Sequence, residues 1–195
     1  MPQSKKEQLI HVALALFMKQ GIRATGIDTI LAESGISKKT LYKHFKSKDE
    51  LIIAALQARD EALLAHLKDR VVFFAAKQAG PKAFSRILGY FDALDEWFNS
   101  KDFSGCTFIN ASAEYPRPED PIHVVCENHK KIMVLFIEDL IKDIKLTNAT
   151  TTAKQISLIV EGAIVTAHTG GDLKSAQLAK KTVEQLLQFQ HVVQQ

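Results

Sequence analysis

Apolar residues recur along this chain at intervals of three and four, and nowhere do they alternate with polar ones over a run bounded by turn residues. That period belongs to helices, so the chain is expected to be all-α. Ser4 and Glu7 have the spacing of a capping box ahead of Leu9, Val12, Ala13, Leu16 and Phe17, with Gly21 as the stop. Thr25 is placed to cap a second helix carrying Ile27, Ile30 and Leu31. Gly35 tolerates the left-handed backbone that ends a helix, and the Ser37 hydroxyl can cap a third one running from Lys38 to Phe45. Ser47-Lys48-Asp49-Glu50 reads as a second capping box. It opens a long helix with Leu51, Ile52, Ala55, Leu56, Leu63 and Leu64 that reaches about Ala75.

Gly80-Pro81 breaks the pattern, after which Phe84, Ile87, Leu88, Phe91, Leu94 and Phe98 stripe a helix ending near Asn99-Ser100. Cys106 to Glu114 reads as a short helix, stopped by the prolines of Tyr115-Pro116-Arg117-Pro118-Glu119-Asp120-Pro121. Three more helices are expected: Ile122 to about Lys145, Thr151 to Thr169 ended by Gly170-Gly171, and a last one capped by Asp172 and reaching about His191.

With 195 residues, 46% of them apolar, the chain can build a real core, and disorder is excluded. A net charge of +3 is unremarkable until it is divided. Residues 1–55 carry nine Lys/Arg against five Asp/Glu, and the remainder carries sixteen against seventeen. A basic head on a near-neutral body points to nucleic acid at one end and a different task at the other. Two cysteines, Cys106 and Cys126, make no disulfide framework and fit a reducing cytoplasm. No run approaches the ~18 apolar residues of a membrane span, and the N-terminus lacks a cleavage-like site, so the chain is expected to be neither exported nor membrane-bound.

The third helix carries the chemistry. Leu41 and Phe45 are four apart and share a face, while Lys38, Lys39, Tyr42 and Lys43 share another. Between Ser37 and Lys48 stand Lys38, Lys39, Lys43, Lys46, Lys48 and His44 with no acid among them. A short helix, a glycine turn and a capped cationic helix make the arrangement with which helix-turn-helix proteins enter a groove lined with phosphates. A lone lysine run would read as a solvated face; the turn and the cap favour the DNA reading.

These residues resemble the tetracycline-repressor (TetR) family of bacterial transcription regulators. The likeness is carried by Ala13, Leu16, Phe17 and Gly21, then Thr25, Ile30, Gly35-Ile36-Ser37-Lys38, Thr40-Leu41-Tyr42, His44-Phe45 and Ser47-Lys48-Asp49-Glu50-Leu51. Gly105-Cys106, Asn110-Ala111, Glu161-Gly162-Ala163 and Gly171-Asp172 extend it more loosely into the body. The resemblance implies a three-helix DNA head over residues 1–48 and a helical ligand-binding and dimerisation domain over 49–195. It implies, further, a homodimer on a palindromic operator, released by a small-molecule effector. Carried over by position, Lys38, Lys39 and Tyr42 would approach base edges. Thr25, Ser37, Thr40, Tyr42, Lys43, His44 and Lys48 would hold phosphates. Lys39 departs from the family pattern, where a small residue is common, and is the first candidate for individualising the operator. Gly26 stands where a second threonine is frequent.

In the body, Phe91, Trp97, Phe98, Phe103, Phe108 and Phe136, with Cys106, are candidates for lining an apolar or aromatic ligand's cavity, against the plainer reading of an aromatic core. Ile156, Ile159, Val160, Gly162, Ala163, Thr166 and Ala167 on one helix, with Leu178, Val183, Leu186 and Leu187 on the next, are expected to form the dimer interface. Cys106 at a helix start admits an alternative trigger, a redox- or electrophile-sensitive thiol, beside the plainer one of a small buried hydrophobe. His123, Cys126 and His129 are spaced by threes on one helix but lack a fourth ligand, so no metal is expected. No nucleophile-base-acid set and no glycine-rich phosphate loop presents itself, and neither catalysis nor a cofactor is expected. The rival classes are a small-molecule carrier or enzyme whose basic head is incidental, and a DNA-binding activator or architectural protein.

Overall fold

The computed structural model describes residues 3–192, and within them nine helices and no strand. They are α1 Lys5–Gln20, α2 Ile27–Ser34, α3 Lys38–His44, α4 Lys48–Ala75, α5 Lys82–Phe98, α6 Thr107–Glu114, α7 Pro121–Ile141, α8 Ala149–Gly170 and α9 Ser175–Val192. Local chemistry explains most boundaries. Ser4 and Glu7 close a reciprocal capping box on α1, and the Ser37 hydroxyl accepts from the Thr40 N–H on α3. Gly35 ends α2 at φ 65°, a left-handed angle that a side chain resists. α7 begins on Pro121, at the position where a missing N–H costs a helix nothing.

Three helix ends differ from expectation. α2 is preceded by Gly26, with no side-chain cap, because Thr25 turns its hydroxyl inward. Glu50 reaches back to the Lys46 N–H while its own N–H is capped by Ser47, so the box at the start of α4 is offset by one residue. Asp172 closes a local turn by accepting from the Lys174 N–H, and α9 starts only at Ser175.

The chain forms two compact units, Met1–Leu63 with Cys106–His129, and Leu64–Gly105 with Lys130–Gln195. In the first, α1 packs on α2 and α3 around Leu9, Ala13, Phe17, Ile30, Leu41 and Phe45, all buried. Leu51, Ile52, Ala55 and Leu56 line the buried side of α4, and Phe108, Ala111, Ile122 and Cys126 are buried contributions from α6 and α7. Each such large apolar side chain contributes roughly 1.5–3 kcal/mol by leaving water.

In the second unit α9 packs on both α5 and α8. Its core takes Ile87, Phe91, Leu94 and Phe98 from α5, Ile137 and Leu140 from α7, and Ile156 and Val160 from α8, with Val183 and Leu187 from α9. Gly89 lets α5 approach the end of α4 closely: a Cβ there would lie 2.7 Å from the Ala75 backbone nitrogen. Polar clamps hold the same helices. Arg70 on α4 grips Glu96 on α5 with two bonds of 2.7 and 2.6 Å, and Lys180 on α9 reaches both oxygens of Asp92 at 2.8 Å. The Asp92 carboxylate also accepts from Gln78, so this largely desolvated pair keeps its hydrogen bonds.

Candidate nucleic-acid interface

On α3 the buried side is Leu41, with Phe45 just beyond the helix. Their burial fixes what turns outward: Lys38, Lys39, Tyr42, Lys43 and His44 are all exposed, with Ser37 at the helix start. Thr40 is half-buried, its hydroxyl 2.9 Å from that of Ser37, so the two hydroxyls expected at phosphates form one polar corner. Lys38 lies 3.9 Å from Asp28 across the turn, an exposed pair that contributes little and yields easily to a phosphate. The end of α2 that leads into the turn is held from α1 by Gln8, whose side-chain amide donates to the Ser34 carbonyl at 3.0 Å.

Thr25 is a correction. It is 0% exposed, its hydroxyl donates to the Gly21 carbonyl at 2.7 Å, and the Gln20 side-chain amide donates to it at 3.1 Å. The hydroxyl is fully used inside the turn between α1 and α2 and offers nothing to a phosphate. Lys48 is partly committed to the same turn, since its ammonium donates to the Ile22 carbonyl at 2.7 Å and partial burial pushes its pKa down.

A carboxylate 91 residues further along completes this arrangement. Glu114, at the end of α6, accepts from the backbone N–H of Ile22 at 2.9 Å and of Arg23 at 2.7 Å. The Arg23 guanidinium lies over the ring of Tyr115, 5.2 Å from its centre. The turn that carries α1 into α2 is therefore held from α4 by a cation and from α6 by an anion. Sequence reasoning missed Glu114, because a contact at such separation leaves no local signal.

The aromatic candidates of the body fall into separate clusters. In the second unit Trp97, Phe98 and Phe103 meet with ring centres 5.0–5.6 Å apart, while Phe136 stands edge-on to Tyr90, which in turn meets Phe91. Phe91 and Phe98 are fully buried; Trp97 and Phe103 are half-buried. In the first unit Phe108 stacks on His129 at 3.6 Å, and Cys106 is buried. His129 pairs with Asp60 at 2.7 Å and His123 with the Tyr115 carbonyl, and among the described residues no three potential metal ligands converge.

Of the side chains expected at a dimer interface, Ile156, Val160, Ala163, Ala167 and Val183 are buried within the single chain, and Ile159 and Leu186 are half-buried. Gly162, Thr166 and Leu178 are exposed. Beside them lie apolar side chains that the periodicity did not single out: Leu158 and Val165 on α8 and Phe189 on α9, with Leu158, Leu178 and Phe189 at 72%, 66% and 71% exposure. Helical spacing finds both apolar stripes of α8; it does not say which one the chain itself consumes.

Comparison with known proteins places this geometry. Residues 9–55 match the family described as bacterial regulatory proteins, tetR family. Over 185 residues the chain is 23% identical to the HTH-type transcriptional regulator YjdC of Escherichia coli, covering 95% of this chain and 94% of that one. It is 25% identical over 160 residues to the HTH-type transcriptional regulator LmrA of Bacillus subtilis, covering 82% and 81%. The crystal structure of SCO4454, a TetR-family transcriptional regulator from Streptomyces coelicolor, superposes with a TM-score of 0.83 at 26% identity over 98% of this chain and 92% of its own. These relatives are transcription regulators and not enzymes. A glycine turn, a capped cationic α3, nine helices among the described residues and similarity along the whole chain agree, and together they support a TetR-family transcriptional regulator.

Proposed function

We propose that this regulator is a cytoplasmic, homodimeric repressor that holds a palindromic operator through α3 of each protomer and releases it when a small, largely apolar or aromatic molecule binds the helical body. The observation that carries the reading is the outward face of α3, where Lys38, Lys39, Tyr42, Lys43 and His44 are exposed with no acid among them. Lys38, Lys39 and Tyr42 would approach base edges; Ser37, Thr40, Lys43, His44 and Lys48 would hold backbone phosphates. Support for dimerisation comes from Leu158, Val165, Leu178 and Phe189, whose exposure on two adjacent helices is a poor arrangement for a monomer in water. Two heads on one dimer then require half-sites about one helical turn, or a multiple, apart.

The test starts from the purified protein and sheared genomic DNA. Bound fragments are expected to share an inverted repeat upstream of genes, and their affinity should fall with salt at a log-log slope near −0.9 per phosphate contacted. Weak, salt-insensitive binding without a shared repeat would assign the basic head no role in DNA recognition. Sites away from promoter elements that block polymerase would favour activation over repression.

A further inference from the structure

The first unit holds a half-buried cation outside every ion pair of the described residues. On α4 the Nε of Arg59 is buried without a hydrogen-bond partner, and no ion pair of the described residues includes the guanidinium. Burial pushes its pKa down, with Cys106 opposing. The carboxylate next to it in sequence, Asp60, is turned to His129, 2.7 Å from Nδ1. His129 in turn lies flat against Phe108, ring planes 10° apart. α4 thus supplies a guanidinium outside any ion pair, the residue before α6 a thiol, and α6 with α7 a stacked pair of rings.

A partly desolvated charge outside any ion pair, with one buried N–H unmet, is stabilised when an anion reaches it. The planar fork of a guanidinium matches a carboxylate in two-point geometry, and a single cation neutralises a monoanion; doubly charged phosphates are met by several cations together. We infer that Arg59 is the anion-binding element of the effector site, so that the effector is a small organic acid whose carboxylate sits on the guanidinium. This deepens, and rests on, the ligand-responsive reading above. It also supplies the energetic difference an effector needs, because the acid favours the arrangement in which Arg59 can hold it.

The full-length protein and its Arg59→Met and Arg59→Lys variants are melted with sodium benzoate, sodium octanoate, the neutral isostere benzamide and inorganic phosphate. For the wild type, at a hundredfold excess over Kd, benzoate or octanoate raises Tm by about 5–10 °C, whereas benzamide and phosphate leave it unchanged. Arg59→Met without acid melts no lower than wild type, since it loses an unpaired charge, and no longer responds to the acids; Arg59→Lys folds and responds weakly. The inference is overturned if Arg59→Met melts markedly lower in the absence of acid, if it keeps the acid response, if neither acid shifts the wild type, or if phosphate matches them. Operator affinity, measured separately, falls about 5–150-fold at saturating acid. An Arg59-dependent melting shift with unchanged operator affinity keeps the site and removes its role as a switch, while intact operator binding with no melting shift removes the site alone.

Discussion

A hydroxyl that donates and accepts inside a turn has nothing left for a phosphate, and Thr25 is in that position between the Gly21 carbonyl and the Gln20 amide. Thr25→Val is expected to cost about 1–3 kcal/mol of stability by leaving both partners unmet. The salt slope of DNA binding by the folded variant stays at the wild-type value; a slope shallower by about one would return Thr25 to the backbone contacts. Lys39, exposed at the start of α3, behaves differently. Lys39→Ala is expected to lose about 1–3 kcal/mol on the operator and to relax one base position, with little change on random DNA. Lys43→Ala lowers affinity for every sequence about equally. Binding-site selection with each variant separates the two behaviours, and equal losses on operator and random DNA for Lys39→Ala would reject its place at a base edge.

Helices pack at distances set by their smallest contact residues, and α5 meets the end of α4 through Gly89. Gly89→Ala puts a methyl 2.7 Å from the Ala75 nitrogen, a backbone atom that cannot swing aside. The expected cost is about 1–3 kcal/mol of overpacking, read as a fall in Tm of roughly 2–4 °C per kcal/mol, despite alanine's better helix propensity. At this scale the sequence was readable wherever a boundary is written in local chemistry: Ser4 with Glu7, Gly35 with Ser37, and the prolines before α7 all act within four residues. What stayed illegible is set by distant neighbours. Gly89 looks like any helix-weakening glycine until α4 lies against it. Ile156 and Leu158 are equally apolar, yet only the fold decides that the first is core and the second faces water. The cationic face of α3 was legible because Leu41 and Phe45 fix its orientation locally; Thr25 was not, because its hydroxyl turned inward.

For the whole molecule, the outward apolar side chains of α8 and α9 set the expected oligomeric state. Leu158→Glu with Leu178→Glu leaves the internal core alone, since both side chains are exposed, and sedimentation is expected to find a monomer with unchanged helical content. Operator affinity should fall sharply once the heads are no longer tethered as a pair. A persistent dimer would move the interface elsewhere. The Glu114 carboxylate has a consequence of another kind. Turn amides ordinarily trade their hydrogens with solvent freely, but those of Ile22 and Arg23 are sheltered by a group from α6. Their deuterium uptake therefore clocks how long α6 stays seated against the turn. In Glu114→Ala both amides should exchange much faster while the α1 interior stays protected. An effector that unseats α6 should quicken the same two amides in the wild type, so that two hydrogens in the DNA head keep time for an event in another helix.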